Sequence, residues 1–220
     1  MRASLPISPS RSSMSVGASS SGFSDNAGLQ KLVNHYDAWL RRWASVTGRE
    51  PSRSAPEFSE GRLWFRDGFP HPDWTARIIE PSDYGYLVLR ATTERRVSPL
   101  ITIDAVFSDL EDAAKYVIMY VGDMLRRECQ LEPRYREWRQ LGLSGKVHKS
   151  ESEQPVVDFI AEYNGVAQDS VERFVHKYTV KTAPDRYAYL SSSDEPRSLV
   201  LTLTYDELDE TLAEGLASHT

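Results

Sequence analysis

Five histidines, one cysteine and 32 carboxylates are the side chains of this 220-residue chain that could do chemistry. Their spacing assembles no familiar machine. His35, His71, His148, His176 and His219 fall into no HExxH, HxH or Cys/His grouping, so no metal centre is expected. Cys129 follows Arg126 and Arg127, and cationic neighbours favour a thiolate. A catalytic cysteine also needs a base, and the sequence places none beside it, so a buried or free thiol is the simpler reading. The chain has no GxGxxG, GxxxxGK[ST] or GxSxG, which leaves phosphate loops and nucleophile elbows without a local signature. Glu111, Asp112 and Glu207 sit where helix starts favour acids. The expectation is a protein without catalytic residues, cofactor or metal.

Charge is distributed more informatively than chemistry. From Asp194 to Thr220 the chain carries seven acids against Arg197 alone, a balance equal to the −6 of the whole protein. Between Arg126 and Lys149 seven bases face three acids. Opposed fields of this kind speed encounter with a complementary partner and reject wrong ones. Leu208, Leu212 and Leu216 recur at helical spacing and should face the core. That would turn Asp209 and Glu210 outward, and with Asp194 and Glu195 in the preceding loop they are the candidate partner interface.

The elements that position these residues are legible from periodicity. Leu29, Leu32, Val33, Tyr36, Leu40 and Trp43 share one face of a helix predicted from about Asp25 to Val46, stopped by Gly48 and Pro51. Strands follow at Leu63–Phe65, Trp74–Ile78, Tyr84–Thr92 and Leu100–Phe107, joined by short polar turns as in an antiparallel meander. Ser108 and Glu111 have the spacing of a capping box, opening a helix that runs to about Glu128. A second unit repeats the order. Short helices near Val156–Tyr163 and Val171–Val175 precede strands near Tyr178–Val180, Tyr187–Leu190 and Leu199–Leu203, and Thr204 with Glu207 opens a final helix.

The predicted class is therefore α+β, with two similar halves, each an antiparallel meander with a flanking capped helix. Residues 1–22 are a Ser-rich leader with almost nothing to bury and should be disordered. Residues 23–145 form the first half, 146–155 a linker and 156–220 the second half. Hydrophobic residues at 40% and charged residues at 26% suit an ordinary globular chain. The acidic balance argues against a nucleic-acid binder. No apolar run approaches the roughly 20 residues of a membrane span, and a single cysteine suits a reducing cytoplasm.

The segment Ala105-Val106-Phe107-Ser108-Asp109-Leu110-Glu111-Asp112-Ala113, its following helix and the stretch LTLTYDELDETLAEGL near the C-terminus resemble the immunity protein 61 family of bacterial polymorphic-toxin systems. The likeness spans roughly Gly61 to Ser218 and consists of apolar and capping positions. It implies an α+β antitoxin encoded beside a secreted toxin and blocking it by binding. One relative neutralises a mycobacterial NAD-degrading toxin, so an NAD glycohydrolase is a candidate partner. A secretion chaperone or adaptor that binds another protein is the alternative. Removing residues 1–22 should leave the thermal midpoint unchanged, because a segment with nothing to bury contributes nothing to a core. A melt displaced by many degrees would show that the leader packs on the fold.

Overall fold

The computed structural model describes Phe23, residues 26–96 and residues 98–216, so the expected leader, residues 1–22, lies outside the described residues. Helix α1, Asn26–Thr47, buries Leu32, Tyr36, Trp39 and Val46 along one stripe and closes at Gly48, whose N–H reaches the Ala44 carbonyl with φ +67°. Five strands follow: β1 Glu57–Ser59, β2 Arg62–Asp67, β3 Thr75–Ser82, β4 Gly85–Thr92 and β5 Leu100–Phe107. At the β3–β4 turn a side chain on Gly85 would run into the Phe107 carbonyl, and φ is +110°, so glycine is required there. Helix α2, Leu110–Glu128, comes next, then α3 Arg134–Leu141, β6 Val147–Glu151, α4 Gln154–Asn164, α5 Gln168–Phe174, β7 Val175–Val180 and β8 Ala183–Ser191. A 3₁₀ segment, Ser192–Thr202, leads into α6, Tyr205–Ala213.

All eight strands belong to one open antiparallel sheet in the order β1-β2-β3-β4-β5-β8-β7-β6. Both faces are covered. On β3 and β4, Ile79 and Val88 join the core beneath α1, α2, α6 and the 3₁₀ segment, while Ala76, Ile78, Leu87, Leu89 and Ala91 join a second core beneath α4 and α5. Among the described residues no helix is long and apolar enough to cross a membrane.

The α+β class and the first meander stand as the pattern predicts, and three local expectations are corrected. The stretch 146–155, expected as a linker, contains β6, which pairs with β7 from Val147↔Val180 to Glu151↔His176. Its polar residues suit an edge strand that water reaches. Leu199–Leu203, expected as the second strand of a repeat, is instead the end of the 3₁₀ segment, with Val200 and Leu201 buried against the α2 layer. Ser108 does not cap α2. Its hydroxyl accepts from the Tyr187 N–H at 2.9 Å, and Asp109 is the N-cap, accepting from the Glu111 N–H at 2.7 Å.

Most of helix α2 is buried, and the charged residues on its buried faces need internal partners. Asp112 and Lys115, both fully buried, pair at 2.7 Å, and Arg186 adds bonds of 2.7 and 3.2 Å to the same carboxylate. Lys115 also donates to the Leu203 carbonyl at 2.6 Å. Asp123 accepts from the N–H groups of Arg134 and Tyr135, capping α3, whose own N-cap position is Pro133. Burial raises the Asp123 pKa, and these two N–H groups pull it back toward ionisation. Arg126 donates to the carbonyls of Leu212 and Glu214, holding the C-terminal end of α6.

The N-terminus of α6 carries the capping box its sequence predicts. Thr204 accepts from the Glu207 N–H at 3.2 Å and Glu207 accepts from the Thr204 N–H at 2.7 Å. Thr204→Ala should cost about 1 kcal/mol in a denaturant melt at neutral pH. The Thr204 N–H and hydroxyl hold the Glu207 carboxyl below the usual glutamate range. Its contribution is therefore present above the unfolded-state pKa and lost as pH falls through the lower folded value. The gap between wild type and Thr204→Ala should narrow below about pH 4; a gap that widens on acidification contradicts the box.

Candidate binding groove

Strands β5 and β8 meet over three pairs only, Ala105↔Leu190, Val106↔Tyr189 and Phe107↔Ala188. Toward Leu100 the pairing stops because β8 ends at Ser191, and a gap, here called the wedge, is left beside β5. On the β4 side, the ladder steps from Ala105↔Val88 to Ile103↔Leu89, leaving Asp104 as an extra bulged residue. A bulge re-aims its side chain, and here the Asp104 carboxylate is shared by Arg77 and Arg90, with Arg90 Nε at 3.7 Å. Across the opening, the Asn164 side chain stands in for the missing strand. Its Oδ1 accepts from the Ile103 N–H at 2.7 Å and its Nδ2 donates to the Ile103 carbonyl at 3.1 Å.

Behind the wedge, side chains from four elements stack in alternation. Arg77 of β3 lies 4.0 Å from the Tyr120 ring of α2, Arg197 of the 3₁₀ segment lies 4.3 Å from that ring, and Arg197 lies 4.2 Å from Tyr135 of α3. A guanidinium over an aromatic face gains from the ring quadrupole, more so where water is excluded. Asp194 neutralises Arg197, and the Tyr116 and Tyr120 hydroxyls lie 3.3 Å apart. Burial, followed by the neighbouring Tyr120, raises the Tyr116 pKa well above the ordinary phenol range, so that group stays protonated.

Two cavities of about 300 and 430 Å³ adjoin at Arg77, Arg90 and Tyr120, which line both, and together they are the candidate groove. One end holds Arg53, paired with Asp67 at 2.6 Å, and the flank of α2 with Met124 and Arg127. The other end holds Val166, Asn164, Ser193 and Asp194. Met124 and Val166 are exposed, at 37% and 49%.

Of the four acids expected as an interface, only Asp194 lines this groove. The structure does not gather them on one outward face. Asp194 binds Arg197 and the Ser191 hydroxyl. Glu195 accepts from Lys149 at 2.7 Å and Tyr178 at 3.2 Å, and the Lys149 bond holds its carboxyl below the usual glutamate range. Asp209 accepts from Trp39 Nε1 at 2.6 Å and lies 3.0 Å from His35 Nδ1, because α1 covers the flank of α6 that the leucine spacing alone leaves open. His35 also stacks on Tyr205 at 4.2 Å. Of the four, Glu210 alone is exposed. The basic stretch is divided likewise, with Arg126 and Arg134 buried in helix-end contacts and Arg127, Arg136 and Arg139 on the surface. Burial and Glu128 raise the Cys129 pKa against the pull of Arg126, away from a reactive thiolate.

The groove residues Arg77, Arg90, Tyr120 and Arg197 are not singled out by sequence motifs. Arg77 alternates with Ala76 and Ile78 and reads as a solvent-facing position. Its signal emerges only once both sheet faces are known to be covered.

No family model matches the chain, and no curated protein matches it in sequence. Among solved structures, the fold is similar to that of Rv3902c from M. tuberculosis, with a TM-score of 0.50 at 13% identity, over 83% of this chain and 91% of that one. At that identity the likeness is one of fold alone.

The stacked column yields a test. Tyr120→Ala should destabilise the protein by about 2 kcal/mol or more, because it removes the ring between two guanidiniums and leaves a void. Tyr120→Phe keeps the ring and should cost less than about 1 kcal/mol. Equal costs in urea melts would mean that the stack contributes little.

Proposed function

We propose that this protein is an immunity protein that binds and blocks a cognate secreted toxin in the cytoplasm, an NAD-consuming toxin being the first to test. The observation that carries the reading is the groove. It joins exposed apolar side chains to guanidiniums on a rigid wall, and its carboxylates Asp67, Asp104 and Asp194 are each held by an arginine. Carboxylates paired in this way are committed to the wall of the groove, which suits adhesion to a protein surface. The sequence resemblance supports the same reading from another side. Its strongest segment, Ala105 to Ala113 with the following helix, builds the β5–β8 seam and the α2 wall of the groove.

An inhibitor of this kind acts without turnover. Titrated against the toxin encoded beside it, the purified protein should protect cells, or NAD where the toxin consumes it, only up to about one equivalent. Protection at far lower ratios would point to catalysis and reject sequestration, and no protection at any ratio would return the protein to the adaptor reading.

A further inference from the structure

The groove has a polarity opposite to that of the protein. The chain carries −6, yet the groove is lined by four arginines, Arg53, Arg77, Arg90 and Arg127. Two of these are neutralised in place, Arg53 by Asp67 and Arg77 by Asp104. Arg90 has only the more distant share of Asp104 at 3.7 Å, and its side chain is 58% exposed. Arg127 is exposed and forms no ion pair among the described residues. The two guanidiniums left to solvent therefore border the same groove, with Met124 among them and Val166 at its far end.

We infer that the groove receives an extended acidic segment of the partner protein, its carboxylates paired with Arg90 and Arg127 and its apolar residues resting on Met124 and Val166. The inference deepens the immunity reading and rests on it for the identity of the partner. Charge complementarity selects the occupant, since a guanidinium matches a carboxylate in planar, two-pronged geometry. The exposed apolar side chains favour a peptide over a free anion. A phosphate ion gives Met124 and Val166 nothing to contact, whereas a chain of alternating acidic and apolar residues covers both kinds of seat.

The test uses the full chain and a display library of random ten-residue peptides, panned at low salt. Recovered sequences should carry at least two carboxylates flanking an apolar residue. Their affinity should fall about tenfold for the double variant Arg90→Glu, Arg127→Glu, and by a smaller factor for Arg90→Gln, Arg127→Gln, with a weaker salt dependence in both. Both side chains are exposed, so the thermal midpoint should stay put, and the glutamine pair serves if the glutamate pair unfolds. Recovery of no peptides, recovery of sequences without acids, or equal binding to the variants overturns the inference. So does displacement of the peptide by inorganic phosphate that itself binds, which would make the groove an anion site. The toxin titration separates the two readings. A glutamate variant that still protects at one equivalent removes this inference and leaves immunity standing. A wild-type chain that captures acidic peptides but protects against no toxin does the reverse.

Discussion

A charge buried in a core must be met by a partner, and α2 carries four buried ones, Asp112, Lys115, Asp123 and Arg126. Leaving a single buried ion unpaired costs several kcal/mol, comparable with the net stability of a domain. The rest of the architecture is arranged around meeting that demand. Asp112 needs Arg186 from β8, Lys115 needs the carbonyl that ends the 3₁₀ segment, Asp123 needs the first turn of α3, and Arg126 needs the last carbonyls of α6. Each charge on the central helix thus fixes the end of another element. Gly122 completes the arrangement, since a Cβ there would lie 2.7 Å from the Leu212 side chain, which would have to shift.

The groove follows from the same geometry. Helix α2 reaches along the sheet to Tyr120 and Met124, and the 3₁₀ segment that caps Lys115 also delivers Arg197 to the Tyr120 ring. Because Ser192–Thr202 coils instead of continuing as a strand, β8 does not follow β5 past Ala105, and the sheet stays open where Asp104 bulges out. A regular strand at Leu199–Leu203 would have continued the repeat.

Legibility in the sequence tracked the locality of the interaction. The stripe of α1, the meander β2–β5 and the box Thr204–Glu207 depend on neighbours within a turn or a hairpin, and their periodicity shows. Ser108 has the right spacing for a cap, yet it bonds to Tyr187, a residue 79 positions away. Asp209 has the right phase to face solvent, yet α1 brings Trp39 onto it across 170 positions. The groove is the least local feature. Its walls come from β3, β4, α2, α4 and the 3₁₀ segment, and no single stretch of chain carries enough of it to form a motif.

The partners of α2 have a further consequence for how the protein comes into being. All four buried charges sit in residues 112–126, and each takes a contact from residue 132 or later, the last of them from Leu212 and Glu214. As the chain leaves the ribosome, α2 therefore emerges well before the groups it needs, and it cannot settle into a closed core until α6 has been made. A chain that stops short of α6 leaves the Arg126 guanidinium without the Leu212 and Glu214 carbonyls that meet it.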